Sequence, residues 1–232
     1  MDRRAAGALR HSTRKSNLSS DGGTLLFYEW GEGVGTNPTV FIRRTDGSDA
    51  VRLGEGKPLA LSPDARWALV IQENTSQPLT LLPTGSGEVK RLPRGPIVEY
   101  LDWAAWSPDG RRIFFAGRES ADVRRTYVQD VDGGEPRPVT PDGFVGVVLS
   151  PDGRTIAAVD RYGEYYLCST AEQMEPRPLA GYRDGDVLLP SILERTCFAG
   201  SHGPDRHRVG SRADPNHAGR KVIRLYVLDL RG

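Results

Sequence analysis

The sequence predicts an all-β fold built from repeated small antiparallel sheets, and three observations predict it. A short motif, an apolar residue followed by Ser-x-Asp, occurs four times at nearly constant spacing. An apolar run and then a second turn-forming segment follow each copy. Glycine and proline contribute 27 and 17 of the 232 residues, and they divide the chain into pieces too short for long helices.

The motif marks an internal repeat. Its copies begin "LSSDGG", "LSPDAR", "WSPDGR" and "LSPDGR", with aspartates at Asp21, Asp64, Asp109 and Asp152. The separations between these aspartates are 43, 45 and 43 residues. A period of this length is typical of repeat architectures in which each repeat is one supersecondary unit. We expect repeats near residues 17–58, 59–96, 97–143 and 144–186.

Each copy of the motif predicts a tight corner between two strands. Proline presets the backbone for a type I turn, aspartate tolerates the next position, and glycine takes the left-handed position that follows. Ser20 replaces the proline in the first copy, and Ala65 replaces the glycine in the second, at a cost of roughly 1 kcal/mol if it is left-handed. We assign structural turn roles, with no chemistry, to Asp21, Gly22, Pro63, Asp64, Pro108, Asp109, Gly110, Pro151, Asp152 and Gly153.

Strands follow each corner in a fixed order. An apolar strand comes first, at residues 24–28, 67–71, 113–116 and 156–159. A second strand, a second turn ("TDGS", "TGSG", "VDGG" or "TAEQ") and a short final strand complete the unit. Strands that are apolar on both faces are typical of sheets covered on both sides. Repeated small sheets that pack face to face around an axis describe a β-propeller.

The segments "LSPDARWALV", "WSPDGRRIFF" and "LSPDGRTIAA" resemble the WD40-like repeats of TolB-type propellers. Similar repeats occur in propellers attached to bacterial serine/threonine kinases and to tricorn and prolyl-oligopeptidase-type peptidases. The resemblance covers about residues 17–180 and implies a propeller of the six-bladed or larger type that acts as a binding platform or gating domain. With about four recognisable repeats and a degenerate fifth, we expect an incomplete ring whose end blades have uncovered faces.

The ends of the chain depart from the repeat. Residues 1–16 form a basic, polar tail without the apolar core of a secretory signal, which predicts a cytoplasmic protein, although members of the family are often periplasmic. We place the propeller at residues 17–190. Residues 191–221 lack the corner due near residue 195, so we expect an irregular segment there that is either disordered or out of frame. Residues 222–232 resume the pattern as a remnant of a further blade.

Signatures of catalysis are missing from the sequence. It contains no Gly-x-Ser-x-Gly elbow, no phosphate-binding loop and no kinase signature. His202, His207 and His217 lie near Cys197 without zinc-type spacing, so we expect no metal, no cofactor and no enzyme activity. Cys168 and Cys197 are interpreted as free thiols.

Charge and hydropathy limit the partners. A net charge of +1 and arginines placed at strand ends argue against nucleic acid, and no apolar run reaches the ~18 residues of a membrane span. We therefore expect a protein-interaction platform with an unidentified protein partner and possible self-association through uncovered blades. Two alternatives stay open: a regulatory or gating fragment of a larger peptidase or kinase, and a sensor of small ligands or peptides.

Overall fold

The computed structural model describes residues 16–31, 35–72, 77–171, 175–179, 187–189, 197–200 and 226–228. All regular elements among these residues are β-strands, and they form five antiparallel sheets. Within each sheet, strands that are consecutive in the chain are neighbours in space. The all-β prediction is confirmed, because short turns of the predicted kind let each strand fold back on the one before it.

Four sheets have four strands and the fifth has three. The first contains β1 (Ser16–Leu18), β2 (Thr24–Gly31), β3 (Gly35–Arg44) and β4 (Val51–Glu55). The second contains β5 (Lys57–Leu61), β6 (Trp67–Ile71), β7 (Thr80–Pro83) and β8 (Lys90–Arg91). The third contains β9 (Glu99–Trp106), β10 (Arg112–Arg118), β11 (Arg124–Asp130) and β12 (Arg137–Pro138). The fourth contains β13 (Val145–Leu149), β14 (Thr155–Val159), β15 (Tyr165–Ser169) and β16 (Arg177–Pro178). The fifth contains β17 (Val187–Leu189), β18 (Cys197–Gly200) and β19 (Tyr226–Leu228).

The sheets pack face to face, and the apolar strand after each corner supplies both contacting faces. Leu69 and Ile71 of β6 share one core cluster with Ile113 and Phe115 of β10, across the second and third sheets. The residues that alternate with them point the other way, so Phe114 of β10 packs with the fourth sheet. Burial on both faces explains why these strands are apolar throughout rather than alternating.

The first strand of each sheet lies on the inside of the assembly. β1, β5, β9, β13 and β17 are edge strands, and each contacts the next in this order. Successive sheets therefore radiate from a shared inner line, which is the arrangement of a β-propeller. Among the described strands, no contact of similar extent joins the fifth sheet back to the first. Four complete blades and a three-stranded fifth thus form a partial ring, as predicted.

The fifth sheet includes part of the segment that was expected to be irregular. β18 (Cys197–Gly200) pairs with β17 on one side, where Leu189 lies opposite Phe198, and with β19 on the other. The expectation of irregular structure does not hold for these four residues, because backbone pairing on both sides supports a strand that has no corner motif before it. β19 lies in the predicted blade remnant. The rest of residues 191–221 is outside the described residues, and the domain boundaries stay a prediction.

Candidate functional site

The corners are the most regular feature of the structure, and the third corner shows their construction. The buried hydroxyl of Ser107 donates a hydrogen bond to Oδ1 of Asp109 at 2.5 Å. The same carboxylate oxygen accepts the backbone N–H of Arg111 at 3.0 Å, and Ser107 Oγ accepts the backbone N–H of Arg112 at 2.9 Å. The backbone N–H of Gly110 closes the turn on the carbonyl of Ser107 at 2.9 Å.

The other three corners repeat this network. Their serine–aspartate distances are 2.5–2.6 Å, and their serines accept a backbone N–H five residues on at 2.9 Å. An ionised carboxylate only accepts hydrogen bonds, so it orients the serine proton and leaves the serine lone pairs for the strand backbone. The four serines, which are buried, are Ser19, Ser62, Ser107 and Ser150. Sequence reasoning missed their role as the hub of the corner, although every copy of the motif contains one.

Hydrogen bonds to the corner carboxylates favour their charged form. The Ser107 hydroxyl, followed by the Arg111 N–H, lowers the pKa of Asp109 below its ordinary value. The pKa values of Asp21 and Asp152 are lowered by the same kinds of donor, first the corner serine and then a backbone N–H. For Asp64, burial raises the pKa, but the hydrogen bonds from Ser62 and the Arg66 N–H outweigh it, so the net direction is also downward.

The position after the aspartate is left-handed in all four corners. Gly22, Gly110 and Gly153 have φ of +70°, +68° and +72°. Ala65 has φ of +55°, and among the described residues it is the only non-glycine residue with a positive φ. The structure therefore places each of the ten predicted turn residues at a corner. Ala65, which stands where the other corners have glycine, adopts a backbone conformation that favours glycine.

A threonine at the second turn ties that turn to the corner in three of the four blades. Thr84 Oγ1 donates to the carbonyl of Ala65 at 2.7 Å. Thr45 and Thr170 make the same bond to Gly22 and Gly153, at 2.8 and 2.7 Å. Sequence reasoning missed these residues, although three of the four second-turn segments begin with threonine. Val131 stands at this position in the third blade.

The corners lie side by side along one end of the sheets, and we call residues 19–24, 62–67, 107–112 and 150–155 the corner arc. A Cβ built on Gly110 would lie 3.8 Å from Cδ of Pro63, and one built on Gly153 would lie 2.7 Å from Cδ of Pro108. In the second, third and fourth corners, the proline, the aspartate and the next arginine are exposed. The arc thus presents carboxylates and guanidinium groups on a frame held by backbone hydrogen bonds.

A cavity of about 580 Å³ lies between the outer strands of the first and second sheets. Glu55, Gln72, Thr80 and Arg91 are among its lining residues, and Gln72 Nε2 donates to the backbone carbonyl of Glu55 at 3.1 Å. The lining offers charges of both signs and amide groups.

The described residues contain no group of histidines, cysteines and carboxylates that could hold a metal ion. His202, His207, His217 and the side chain of Cys197 lie outside the described residues. Cys168 is a free, buried cysteine, and burial raises the pKa of its thiol to about 11. A buried neutral thiol is a poor nucleophile. In the part of the chain that the structure describes, no helix is long and apolar enough to cross a bilayer.

Solved structures with the same architecture are TolB proteins and peptidase propellers. TolB from Acinetobacter baumannii matches with a TM-score of 0.63 at 16% identity, over 84% of this chain and 50% of that chain. A protein assigned as TolB from Agrobacterium tumefaciens matches with a TM-score of 0.65 at 20% identity, over 95% and 78% of the two chains. The chain has the TolB-type β-propeller fold. The acylaminoacyl peptidase of Pyrococcus horikoshii matches this propeller with a TM-score of 0.62 at 14% identity, over 94% and 38% of the two chains.

Sequence comparison adds one relative over a short stretch of the chain. The uncharacterized peptidase YuxL of Bacillus subtilis is 38% identical over 72 residues, which are 30% of this chain and 11% of YuxL. No family model matches the chain. The propeller spans about half the length of the Acinetobacter TolB chain and a small part of the peptidase.

Proposed function

We propose that this propeller is a non-catalytic module that binds another protein through the corner arc. The observation that carries the proposal is the repetition of one rigid corner along one end of the sheets. Arg66, Arg111 and Arg154 are exposed at equivalent positions, each next to a hydrogen-bonded carboxylate. A surface whose backbone is already ordered loses little conformational entropy when a partner binds.

The chemistry of the arc favours a protein partner with charged groups of both signs. The second, third and fourth corners each place a carboxylate beside a guanidinium group, so a polyanion such as nucleic acid would meet repulsion beside each attraction there. The net charge of +1 supports the same choice. We extend the proposal to exclude nucleic acid and membrane insertion as modes of binding.

Affinity capture with a charge-reversed arc tests the proposal. The full chain is immobilised and exposed to lysate of the source organism, beside the variant R66E/R111E/R154E. A specific partner should be captured by the native chain and lost from the variant. Arg137→Glu, an exposed change on β12, serves as the control and should retain capture. Capture that survives the triple reversal, or no specific capture at all, contradicts the proposal.

A second function is favoured by the peptidase match: a substrate-gating propeller that belongs to a larger enzyme. The 38% identity to the YuxL peptidase over 72 residues supports it, as does the fold shared with an acylaminoacyl peptidase. An antibody raised against this chain separates the two functions in extracts of the source organism. A product of 25.4 kDa supports the separate binding module, whereas a band of peptidase size supports the gating domain.

A hydrolysis assay tests whether the chain is non-catalytic. The purified chain should not hydrolyse aminoacyl or peptidyl p-nitroanilides above a buffer blank. Hydrolysis that co-purifies with the folded chain through several columns would contradict the non-catalytic proposal.

A further inference from the structure

The cavity between the first and second sheets lies where the second blade departs from the repeat. Thr80 of β7 and Arg91 of β8 lie opposite each other in the strand register, and both line the cavity. Leu82 and Val89, each two residues away from one of them, line it too, so all four share one face of the second sheet. Leu82 is buried in a cluster with Val40, which shows that this face points toward the first sheet.

Strand register identifies the residues of the other blades that are equivalent to Thr80. Thr80 pairs with Val70, the sixth residue after the corner aspartate of its blade. The residues that pair with the sixth residue after the other three corner aspartates are all aromatic: Phe41, Tyr127 and Tyr166. Threonine therefore stands in the second blade where the first, third and fourth blades have an aromatic ring.

The tyrosines at this position fill space next to their sheets. Tyr127 is fully buried in the cluster that joins the second and third sheets, and its ring stacks on Phe115 with centroids 5.7 Å apart. The ring of Tyr166 packs edge-on against Phe144, with centroids 5.0 Å apart. Thr80 has no ring to place between the first and second sheets. The cavity of about 580 Å³ lies there, and its volume suits a small organic ligand.

The outer strand of the second blade differs from the later blades at the same point. In the third and fourth blades a proline pairs with the tyrosine of this position, at Pro138 and Pro178. In the second blade Arg91 pairs with Thr80 instead. Arg91 is exposed and forms no ion pair with any described residue. A guanidinium group presents its N–H donors as a planar fork that matches the two oxygens of a carboxylate.

The rest of the lining is compatible with a ligand that has an apolar body and a negative charge. Pro38 and Leu82 are buried and supply apolar surface. Glu55 is the one acidic residue among the described lining residues. Its carboxylate accepts a hydrogen bond from Asn37 at 3.4 Å and lies 3.9 Å from Nη2 of Arg52. An anion in the cavity therefore meets one unpaired guanidinium group and one carboxylate that already has partners.

We propose that this cavity binds a small aromatic carboxylate. Its ring occupies the space that tyrosine fills in the third and fourth blades, and its carboxylate pairs with Arg91. Burial of the ring against Leu82 and the charge-assisted hydrogen bonds both favour binding. The site is distinct from the corner arc, because Gln72 and Gln77 in its lining flank the connection from β6 to β7, whereas the corner precedes β6.

Isothermal titration calorimetry of the full chain with phenylacetate tests the proposal. Phenylacetate should bind at up to about 10 mM. Phenylacetamide, which lacks the charge, should bind about tenfold more weakly, and acetate, which lacks the ring, should show no measurable binding. Thr80→Tyr should abolish the binding of phenylacetate, because it restores the ring of the later blades. Its unfolding temperature should not fall, since the new side chain fills a cavity.

Arg91→Gln tests the role of the guanidinium group. It should weaken the binding of phenylacetate about tenfold or more and leave the binding of phenylacetamide unchanged. A purely structural role of Arg91 would change the binding of both compounds equally. Arg137→Gln removes an exposed guanidinium group from β12, away from the cavity, and should leave both affinities unchanged.

Three results would overturn the proposal: no binding of phenylacetate at about 10 mM, binding that a folded Thr80→Tyr variant retains, or a preference for phenylacetate over phenylacetamide that survives Arg91→Gln. Thermal unfolding of each variant shows whether it is folded under the conditions of the titration. If Thr80→Tyr does not fold, the comparison of the two compounds in the Arg91→Gln variant still decides the outcome.

Discussion

Gly153 lies directly against Pro108 of the preceding corner. A Cβ built on Gly153 would fall 2.7 Å from Cδ of that proline, whereas a Cβ on Gly22 would meet nothing within 4 Å. The two glycines have nearly the same positive φ, +72° and +70°. The corner arc is therefore packed tightly between the third and fourth blades and is open at the first.

This difference in packing predicts that a glycine-to-alanine substitution lowers the free energy of unfolding more at Gly153 than at Gly22. Gly22→Ala should lower the free energy of unfolding by about 1 kcal/mol, the cost of a left-handed alanine. Gly153→Ala should cost about 1–3 kcal/mol more, because the added methyl group overlaps a rigid ring. Urea unfolding of both variants measures the difference. Pro108→Ala combined with Gly153→Ala should recover part of it, and equal losses for the two glycine variants would show that the corners are not in contact.

Ala65 predicts a stabilising substitution in the second corner. Ala65→Gly should raise the free energy of unfolding by about 0.5–1 kcal/mol, since glycine removes the left-handed strain but loses more entropy on folding. The shift should appear in the urea midpoint with an unchanged slope. Gly110→Ala is the matched reverse change in the third corner and should destabilise. A destabilising Ala65→Gly would mean that the methyl group packs usefully at this site.

The corner carboxylates predict a loss of stability in acid. Their folded-state pKa values lie below the ordinary value of 3.8, so their contribution to stability is present above about pH 4 and is lost as the pH falls through the lowered pKa values. Thermal unfolding between pH 6 and pH 2 should show a steeper fall for the native chain than for D64N/D109N/D152N. The same isosteric change at exposed Asp122, outside the corners, is the control. Parallel pH curves for the native chain and the triple variant would contradict the expectation.

The hydrogen bonds donated by the second-turn threonines predict a loss of stability when the hydroxyl group alone is removed. Thr84→Val should lower the free energy of unfolding by about 1 kcal/mol, because the carbonyl of Ala65 loses its donor while the shape is kept. Thr84→Ser retains the hydroxyl and should lose less. Chemical denaturation ranks the two variants. Valine already occupies the equivalent position in the third blade, at Val131, so the fold accommodates this shape.

Cys168 should resist alkylation while the chain is folded. The residue is 2% exposed, and burial raises the pKa of its thiol to about 11, so the thiol is neutral and covered at pH 8. In a Cys197→Ser variant, iodoacetamide should label Cys168 only in denaturant, as measured by intact mass. Rapid labelling without denaturant would indicate that the fourth blade opens in solution.

Much of the fold could be predicted because its signals are local. The strand after the second corner was predicted at residues 67–71 and lies at Trp67–Ile71, since an apolar run between two turns has little freedom. The predicted second strand of the same blade lies at Thr80–Pro83, where pairing with the neighbouring strands sets its ends. β18 was missed because no corner or alternation announces it, and only pairing with β17 and β19 identifies it.

The residues of the candidate surfaces could also be predicted only in part. The turn residues of the corner arc were found from the motif, but the buried serines and the second-turn threonines were not given roles. The serines and threonines recur with the motif, but the hydrogen-bond partner of each hydroxyl group depends on how the turn closes. The aromatic pair of the first sheet was also not singled out, because Phe27 and Phe41 are 14 residues apart and meet only through strand register.

The sequence by itself determined the repeat, its period, the order of turns and strands, and the left-handed position that Ala65 shares with the corner glycines. These properties follow from backbone preferences and from the alternation of side chains within a few residues. Only the tertiary structure decided which faces are covered, that Gly153 meets Pro108, and that Phe27 and Phe41 are left half-buried. Coverage depends on a neighbouring blade about 43 residues away along the chain, and packing between blades, unlike a turn, is not specified by any short stretch of residues.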